Sequence, residues 1–284
     1  MASMRDIKRR KNSVTSTQQI TKAMKLVSTV KLQKARTRAE STNPYTEKMY
    51  KTVSSMMAKS GNIIHPYLTA GESNRKAVIV ITSNRGLAGG YNSNIVKLIT
   101  GSDLKKEDLD IYALGSKGCD LLTRRGYRIV ENRSDIMENP TYSDASALCK
   151  KVLDSFAKGE VGEIYLAYTH FKNTVSHIPT LIKLLPVEAG DMEETENSNV
   201  LMNYEPNTEE ALDMIIPKYV TSLFYGALVE SVASENGARM QAMDSATSNA
   251  DEIISDLTLK YNRARQGAIT QELTEIIAGA NAIS

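Results

Sequence analysis

The sequence predicts an α/β protein with a long antiparallel coiled coil, in which the N- and C-terminal helices pair to form a shaft and the middle of the chain forms a Rossmann-like α/β domain. Both ends of the 284-residue chain carry long helix-type patterns. Between about residues 75 and 185, short β-branched runs alternate with helix-type segments, which is typical of a mostly parallel sheet. We therefore divide the chain into an N-terminal shaft helix (1–70), a central α/β domain (71–205) and a C-terminal shaft helix (206–284).

The C-terminal helix carries a coiled-coil seam. Apolar or small residues recur there in alternating steps of three and four. They are Met240, Met243, Thr247, Ala250, Ile254, Leu257, Tyr261, Ala264 and Ala268. No proline follows Pro217, so the helix is predicted to run from about Lys218 to the region of Gly279. Its length would be roughly 90 Å, and a helix of that length needs a partner to cover its apolar stripe.

The first sixty residues supply that partner, because they contain no glycine and only one proline, Pro44. We expect Pro44 to kink or interrupt the helix. The helix-spaced apolar positions predict the face that meets the C-terminal helix. They are Ile20, Ala23, Met24, Val27 and Val30, with Leu26 beside them.

The middle of the chain predicts four strands, a further apolar run and three helices. The strands are Lys76–Thr82, Asp110–Gly115, Tyr127–Val130 and Glu163–Phe171, and Ile178–Leu185 is the last apolar run before an acidic loop. The helices are Tyr91–Thr100, Ser116–Arg125 and a segment capped by Ser143 that ends near Lys158.

The pattern predicts no catalytic, cofactor or metal site. The glycine-rich turn at 85–90 follows a strand and precedes a helix, where Rossmann-like folds hold phosphate, but it has neither GxGxxG spacing nor a GK[ST] motif. The three histidines, His65, His170 and His177, are separated and lack metal-ligand spacing, and Cys119 and Cys149 form no CxxC pair. A nucleotide-binding α/β enzyme with a coiled-coil dimerisation arm remains an alternative.

Charge is concentrated at the N terminus. The first forty residues carry eleven basic residues against Asp6 and Glu40. Such a stripe could neutralise the phosphates of a nucleic acid, yet no aromatic residue occurs before Tyr45 to stack on bases. A solvated helix face or a surface that meets an acidic protein fits better, and we expect no nucleic-acid partner. A DNA-binding coiled coil is the second alternative.

Three runs of sequence resemble the gamma subunit of F-type ATP synthases, bacterial type. They are TQQITKAMKLV at 17–27, SNRGLAGGYN at 83–92 and YNRARQGAITQELTEI at 261–276. The resemblance covers essentially the whole chain in the right order. One difference from many members is Asn84, where they carry Asp, and we expect it to affect only the turn.

The resemblance implies a non-catalytic central-stalk rotor that turns inside a ring of three alpha and three beta subunits and also meets epsilon and the c ring. By position, Arg265, Gln266 and Thr270 match contacts with a beta loop, and Met24 and Lys25 match the neck of the shaft. Arg85 matches a further beta contact. Tyr204 and Glu205 match the loop that meets the c ring.

The resemblance also places the protein on a membrane surface. No apolar stretch approaches the length that crosses a bilayer, so we expect a peripheral protein. The start of the chain shows no cleavable leader, which favours a bacterial protein on the cytoplasmic face of the inner membrane over an unprocessed mitochondrial precursor. A mature organelle protein is the remaining alternative. Chloroplast members carry an insertion with a regulatory cysteine pair; this chain has no room for it, so no thiol switch is expected.

Overall fold

The computed structural model describes residues 4–59, 65–187 and 207–283. The elements are α1 (Met4–Lys59), β1 (Lys76–Ile81), α2 (Tyr91–Thr100), β2 (Leu109–Leu114), α3 (Ser116–Arg124), β3 (Arg128–Asn132), α4 (Tyr142–Ala157), β4 (Glu163–Phe171), β5 (His177–Leu185) and α5 (Thr208–Ile283). Short 3-10 helices lie at Pro66–Leu68, Lys106–Asp108 and Ser134–Met137. These elements fall into two compact units: Met1–Ser28 with Met240–Ser284, called here the paired-helix unit, and Thr29–Arg239, called the α/β unit.

The α/β unit is built on a five-stranded sheet of order β3-β2-β1-β4-β5. The β1–β2, β1–β4 and β2–β3 pairs are parallel, and β5 is added antiparallel to β4. The fold class predicted from the sequence is thereby confirmed. β1 and β2 are almost wholly buried, because helices cover both faces of the sheet.

Each face of the sheet has its own apolar core. On one face, residues of α2 and α3 such as Ile95, Ile99 and Leu122 pack against Val78 and Ile111. The opposite face is covered by α4 and by the parts of α1 and α5 that belong to this unit. Their buried residues there include Val53, Met56, Leu148, Val152, Leu212 and Phe224.

Helix α5 begins ten residues earlier than predicted, at Thr208 rather than Lys218, and passes through Pro217. Asn207 caps it, since the Glu210 backbone N–H donates to Asn207 Oδ1 at 2.8 Å. A proline inside a helix costs about 3 kcal/mol. Here the cost is offset by burial of Leu212, Ile216 and Val220, each no more than 1% exposed and worth about 1.5–3 kcal/mol.

Helix α1 likewise continues through Pro44 without interruption. A smaller correction concerns α4, whose N-cap is Thr141 rather than Ser143. The Thr141 side chain accepts from the Asp144 backbone N–H, and the Asp144 side chain accepts from the Thr141 backbone N–H. Together these two bonds form a complete capping box.

In the paired-helix unit, α1 and α5 run antiparallel. Thr21 Oγ1 lies 2.8 Å from Thr247 Oγ1, and Lys25 Nζ lies 2.5 Å from Asp244 Oδ1. The side chain of Gln18 also donates to Asp251. The α5 seam is confirmed as far as Ala264: Met243, Ala250 and Leu257 are buried and the remaining members are partly buried, whereas Ala268 is exposed.

The face predicted for α1 is wrong. Ile20, Leu26 and Val27 are 57–63% exposed and Ala23 is also exposed; only Met24 is partly buried. Val30, which lies in the α/β unit, is 57% exposed. Most covered α1 residues of the paired-helix unit instead follow a mixed polar and apolar heptad, with the partly buried Thr15 and Met24 beside it. The heptad residues are Met4, Ile7, Lys11, Val14, Gln18, Thr21, Lys25 and Ser28.

One stretch of α5 meets the length and composition of a membrane span, with a mean hydropathy of 1.2 over its 18-residue window. This differs from the sequence-based expectation that no such stretch exists. Because 61% of that window is buried inside the protein, it is typical of the core helix of a folded domain.

Candidate functional site

The end of α5 exposes the first group of predicted site residues. Every residue from Arg265 to Asn281 is exposed, among them Arg265, Gln266 and Thr270. The Thr270 hydroxyl donates to the Gln266 carbonyl at 2.9 Å, so it is satisfied within its own helix. The large apolar side chains of this segment are also exposed, at 48–65%. They are Ile269, Leu273, Ile276 and Ile277. Large exposed apolar side chains grouped along one helix are typical of interaction sites.

Met24 and Lys25 lie on the flank of the paired helices, both partly buried. Lys25 forms an ion pair with Asp244 of α5, and its side chain is 39% exposed. An exposed ion pair contributes at most about 1 kcal/mol, so Lys25 can exchange this partner for another acidic group at low cost. Arg265 lies 21 residues beyond Asp244 on α5, roughly 30 Å along the helix. The structure therefore does not bring these two predicted contact groups together.

Arg85 projects from a turn in the α/β unit formed by Ser83–Gly90, called here the Arg85 turn. Its side chain is 79% exposed, and its Nη2 lies 3.9 Å from Glu138 Oε1. The Ser83 hydroxyl donates to the Arg85 carbonyl at 2.7 Å, and the Ser83 N–H donates to Asn92 Oδ1 at 2.9 Å. These bonds fix the backbone from which the arginine projects.

Asn84 holds the same turn to its neighbours. Its side-chain amide donates to the Ser134 carbonyl at 2.7 Å, and its Oδ1 accepts from the Ser116 N–H at 3.1 Å. Asparagine can donate and accept at once, whereas an ionised aspartate only accepts. Asn84, where many members of the resembled family carry Asp, thus adds one hydrogen bond from the turn to the 3-10 helix at Ser134–Met137.

Sequence reasoning missed two residues of α5 that support the turn. Arg239, only 9% exposed, donates to the Arg85 carbonyl at 3.2 Å and to the Gly86 carbonyl at 3.4 Å. Glu235 lies one helical turn away and pairs with Arg239 at 2.7 Å. Burial raises the pKa of Glu235, while the Arg239 charge and hydrogen bond oppose that rise. The only available signal was an i, i+4 acid–base pair in a helix of small residues, which usually marks a solvated face.

Leu87 is the other feature that the sequence did not reveal. It has φ 63°, in the left-handed region that side-chain-bearing residues seldom adopt, and its side chain is 64% exposed. Such strain persists only where the surroundings enforce it, and it is frequent at functional positions.

The histidines form no metal site with other ligand residues in any of the three described ranges. His65 lies 3.1 Å from Asp213, and His170 lies 2.8 Å from Glu230, each joining a segment of the α/β unit to α5. Cys119 and Cys149 are both free, and burial raises the pKa of Cys149 to about 12, which makes its thiol a poor nucleophile. Tyr204 and Glu205 lie outside the described residues.

A family model described as ATP synthase matches residues 3–283. A gamma chain of ATP synthase from Lachnoclostridium phytofermentans is 67% identical over all of both chains. The chain belongs to the ATP synthase gamma chain family. A second family member, from Alkaliphilus metalliredigens, is 46% identical over 99% of this chain and 98% of its own.

Solved structures show the same fold as this gamma-family chain. A chain in the OSCP/F1/c-ring structure of Euglena gracilis mitochondrial ATP synthase is 19% identical, with a TM-score of 0.71 over 99% of this chain and 94% of that chain. A chain in the central stalk and c-ring structure of the Tetrahymena thermophila enzyme is 24% identical, with a TM-score of 0.59 over 80% and 99%.

Proposed function

We propose that this gamma-family chain is the non-catalytic central-stalk rotor of an ATP synthase, transmitting torque between a c ring and a catalytic ring of three alpha and three beta subunits. The observation that carries this proposal is the paired-helix unit. Its seam joins α1 to α5 as far as Ala264, and α5 then extends to Ile283 with exposed side chains over 265–281. A helix that exposes this much apolar surface needs surrounding protein.

We assign the beta-subunit contacts of the shaft to its exposed residues. Arg265, Gln266 and Thr270 are free to meet a beta loop, and the guanidinium suits a carboxylate because it donates in a planar fork. Met24 and Lys25 form a second contact, beside the exposed Ile20 and Val27. Apolar side chains and solvated cations favour one beta conformer over another without the deep energy wells of buried ion pairs, so the shaft can still turn.

Arg85 provides a third beta contact in this proposal. Its distant, exposed pairing with Glu138 leaves the guanidinium available to an acidic group of another subunit. We also propose that Tyr204 and Glu205 meet the c ring, that epsilon binds the α/β unit, and that the protein works as a peripheral subunit on the cytoplasmic side of a bacterial inner membrane. The division at residues 70 and 205 into shaft, α/β domain and shaft belongs to the same proposal.

Co-expression with the alpha and beta subunits of the same host tests the rotor function. We expect a complex with about three copies each of alpha and beta per copy of this chain, and an ATPase activity that depends on this chain. Arg265→Ala with Gln266→Ala should lower that activity, whereas Arg263→Ala, at a neighbouring exposed arginine, serves as the matched control. Recovery of the chain without alpha and beta would contradict the proposal.

A further inference from the structure

The Arg85 turn is held by hydrogen bonds within it and to neighbouring elements, although Arg85, Gly86 and Leu87 are exposed. Ser83 donates to the Arg85 carbonyl within the turn and to Asn92 of α2, and Asn84 donates to the Ser134 carbonyl. The turn nevertheless contains a left-handed leucine, Leu87, which an unconstrained loop would relax. The turn is therefore built to present its exposed side chains in a fixed direction.

A further contact to the Arg85 turn comes from Arg239 of α5. The Arg239 guanidinium reaches the Arg85 carbonyl at 3.2 Å through Nη2 and the Gly86 carbonyl at 3.4 Å through both Nε and Nη2. Two adjacent carbonyls are thus bound by one planar donor group, a geometry that lysine cannot reproduce.

Glu235 keeps the guanidinium in place. Its carboxylate lies 2.7 Å from Arg239 Nη1, and the side chains are only 13% and 11% exposed, respectively. A buried arginine without a counter-ion would be strongly destabilising, so the pair is required for Arg239 to point into the turn. Glu235 and Arg239 occupy one face of α5, spaced four residues apart.

We propose that Arg239, oriented by Glu235, is a positioning residue that fixes the Arg85 turn to α5. The exposed Arg85 then follows any movement of α5 directly, in addition to following the sheet that carries the turn. This inference deepens the proposed function, because it rests on Arg85 being a contact of the rotor with beta. It assigns Arg239 no contact of its own with a partner.

Tryptic cleavage after Arg85 in the full-length chain tests the positioning step, since the carbonyl of the cleaved bond is an acceptor of Arg239. Arg239→Lys keeps a cation beside Glu235 but removes the planar fork. We expect cleavage at this bond, followed by mass spectrometry, to accelerate about fivefold or more, the effect of losing about one hydrogen bond. The double variant E235Q/R239Q removes both charges and should show the same acceleration of cleavage after Arg85. It tests whether the acceleration in Arg239→Lys comes from a folding defect of that variant.

Glu230→Gln is the matched control, because Glu230 also joins α5 to the sheet, through His170 at 2.8 Å, without touching the turn. We expect unchanged cleavage after Arg85 in this variant. Wild-type cleavage in both Arg239 variants would overturn the inference, and so would equal acceleration in Glu230→Gln, since that would show a general loosening of α5.

ATPase activity of the assembled complex separates this inference from the proposed function. If both hold, Arg239→Lys lowers activity, and adding it to Arg85→Ala lowers activity no further, because the two residues act through one contact. Faster cleavage in Arg239→Lys, together with unchanged ATPase activity in both Arg239→Lys and Arg85→Ala, would support the positioning role and contradict the beta contact of Arg85.

Discussion

At the scale of single residues, Asn84 gives a direct prediction. Asn84→Asp replaces the donor to the Ser134 carbonyl by a carboxylate oxygen, leaving two acceptors facing each other 2.7 Å apart in the present geometry. We expect the free energy of unfolding to fall by about 1–3 kcal/mol, as for a lost hydrogen bond with an unsatisfied partner. Urea denaturation measures it, and Asn132→Asp, at an exposed asparagine, should change stability by less than about 0.5 kcal/mol. Equal effects of the two changes would contradict the role of Asn84.

His177 gives a pH dependence whose sign follows from its surroundings. Neither ring nitrogen has a hydrogen-bond partner among the described residues, and burial lowers the pKa of the imidazole below its ordinary value of 6.5. A lowered pKa means that the folded state favours neutral histidine. Its contribution to stability is therefore complete above pH 6.5 and is lost as the pH falls through and below that value.

The corresponding experiment compares unfolding free energies of wild type and His177→Phe between pH 8 and pH 5. Wild type should lose more stability than the variant over this range, by up to about 1.4 kcal/mol for each unit by which the pKa is lowered. His170 and His65 remain in both proteins and cancel in the comparison. Parallel stability profiles would show that His177 is not desolvated in solution.

At the scale of elements, Gly237 lets the β4–β5 hairpin approach α5. A Cβ at this position would lie 2.7 Å from His177 Cε1 and 3.1 Å from Nε2. Gly237→Ala should therefore destabilise by about 1–3 kcal/mol through overpacking, even though alanine is the better helix former by about 1 kcal/mol.

A double-mutant cycle isolates that contact. Combining Gly237→Ala with His177→Ala should recover most of the loss, because the ring that meets the new methyl group is gone. Gly267→Ala is the matched control: its Cβ would have no atom within 4 Å, so the change should stabilise the protein by about 1 kcal/mol. If the stability changes of Gly237→Ala and His177→Ala were simply additive, the destabilisation by Gly237→Ala would not arise from contact with the His177 ring.

The boundaries and buried faces of the elements show how much of the fold could be predicted from the sequence. The ranges of α2 and β4 agree with the prediction residue by residue, since β-branched strands and capped amphipathic helices have strong local signals. The α1 stripe failed for a physical reason: counting apolar residues selects Ile20 and Val27, which are exposed, whereas the covered face is joined by hydrogen bonds such as Thr21 to Thr247. A seam of polar residues becomes recognisable only with its partner helix.

The residues of the candidate site likewise fall into those that could be predicted from the sequence and those that could not. The exposed Arg265 and Arg85 follow from resemblance to a family, because recognition residues occur in specific runs of sequence. Arg239 could not be found that way from the residues alone, since its role depends on which turn lies within reach of α5 in three dimensions. Long-range hydrogen bonds to backbone carbonyls leave no side-chain pattern at the accepting end.

At the scale of the whole molecule, the chain contains a segment that folding of the isolated protein does not require. Residues 265–281 are all exposed, so ending the chain after Ala264 removes no covered side chain within that range. We expect the unfolding free energy per molecule to change by less than about 1 kcal/mol, whereas Ala250→Asp, in the covered seam, should cost about 3 kcal/mol or more. Circular dichroism during urea denaturation distinguishes the two.

The same truncation should make the isolated chain more soluble and the complex less stable. Leu273, Ile276 and Ile277 expose 55–65% of their surface, which favours self-association in the absence of a partner and burial against one when it is present. We expect light scattering of the isolated chain to fall and the chain to dissociate faster from the alpha and beta subunits. Unchanged dissociation would mean that the exposed end of α5 binds nothing in the complex, and the contacts would then have to lie on the paired part of the shaft.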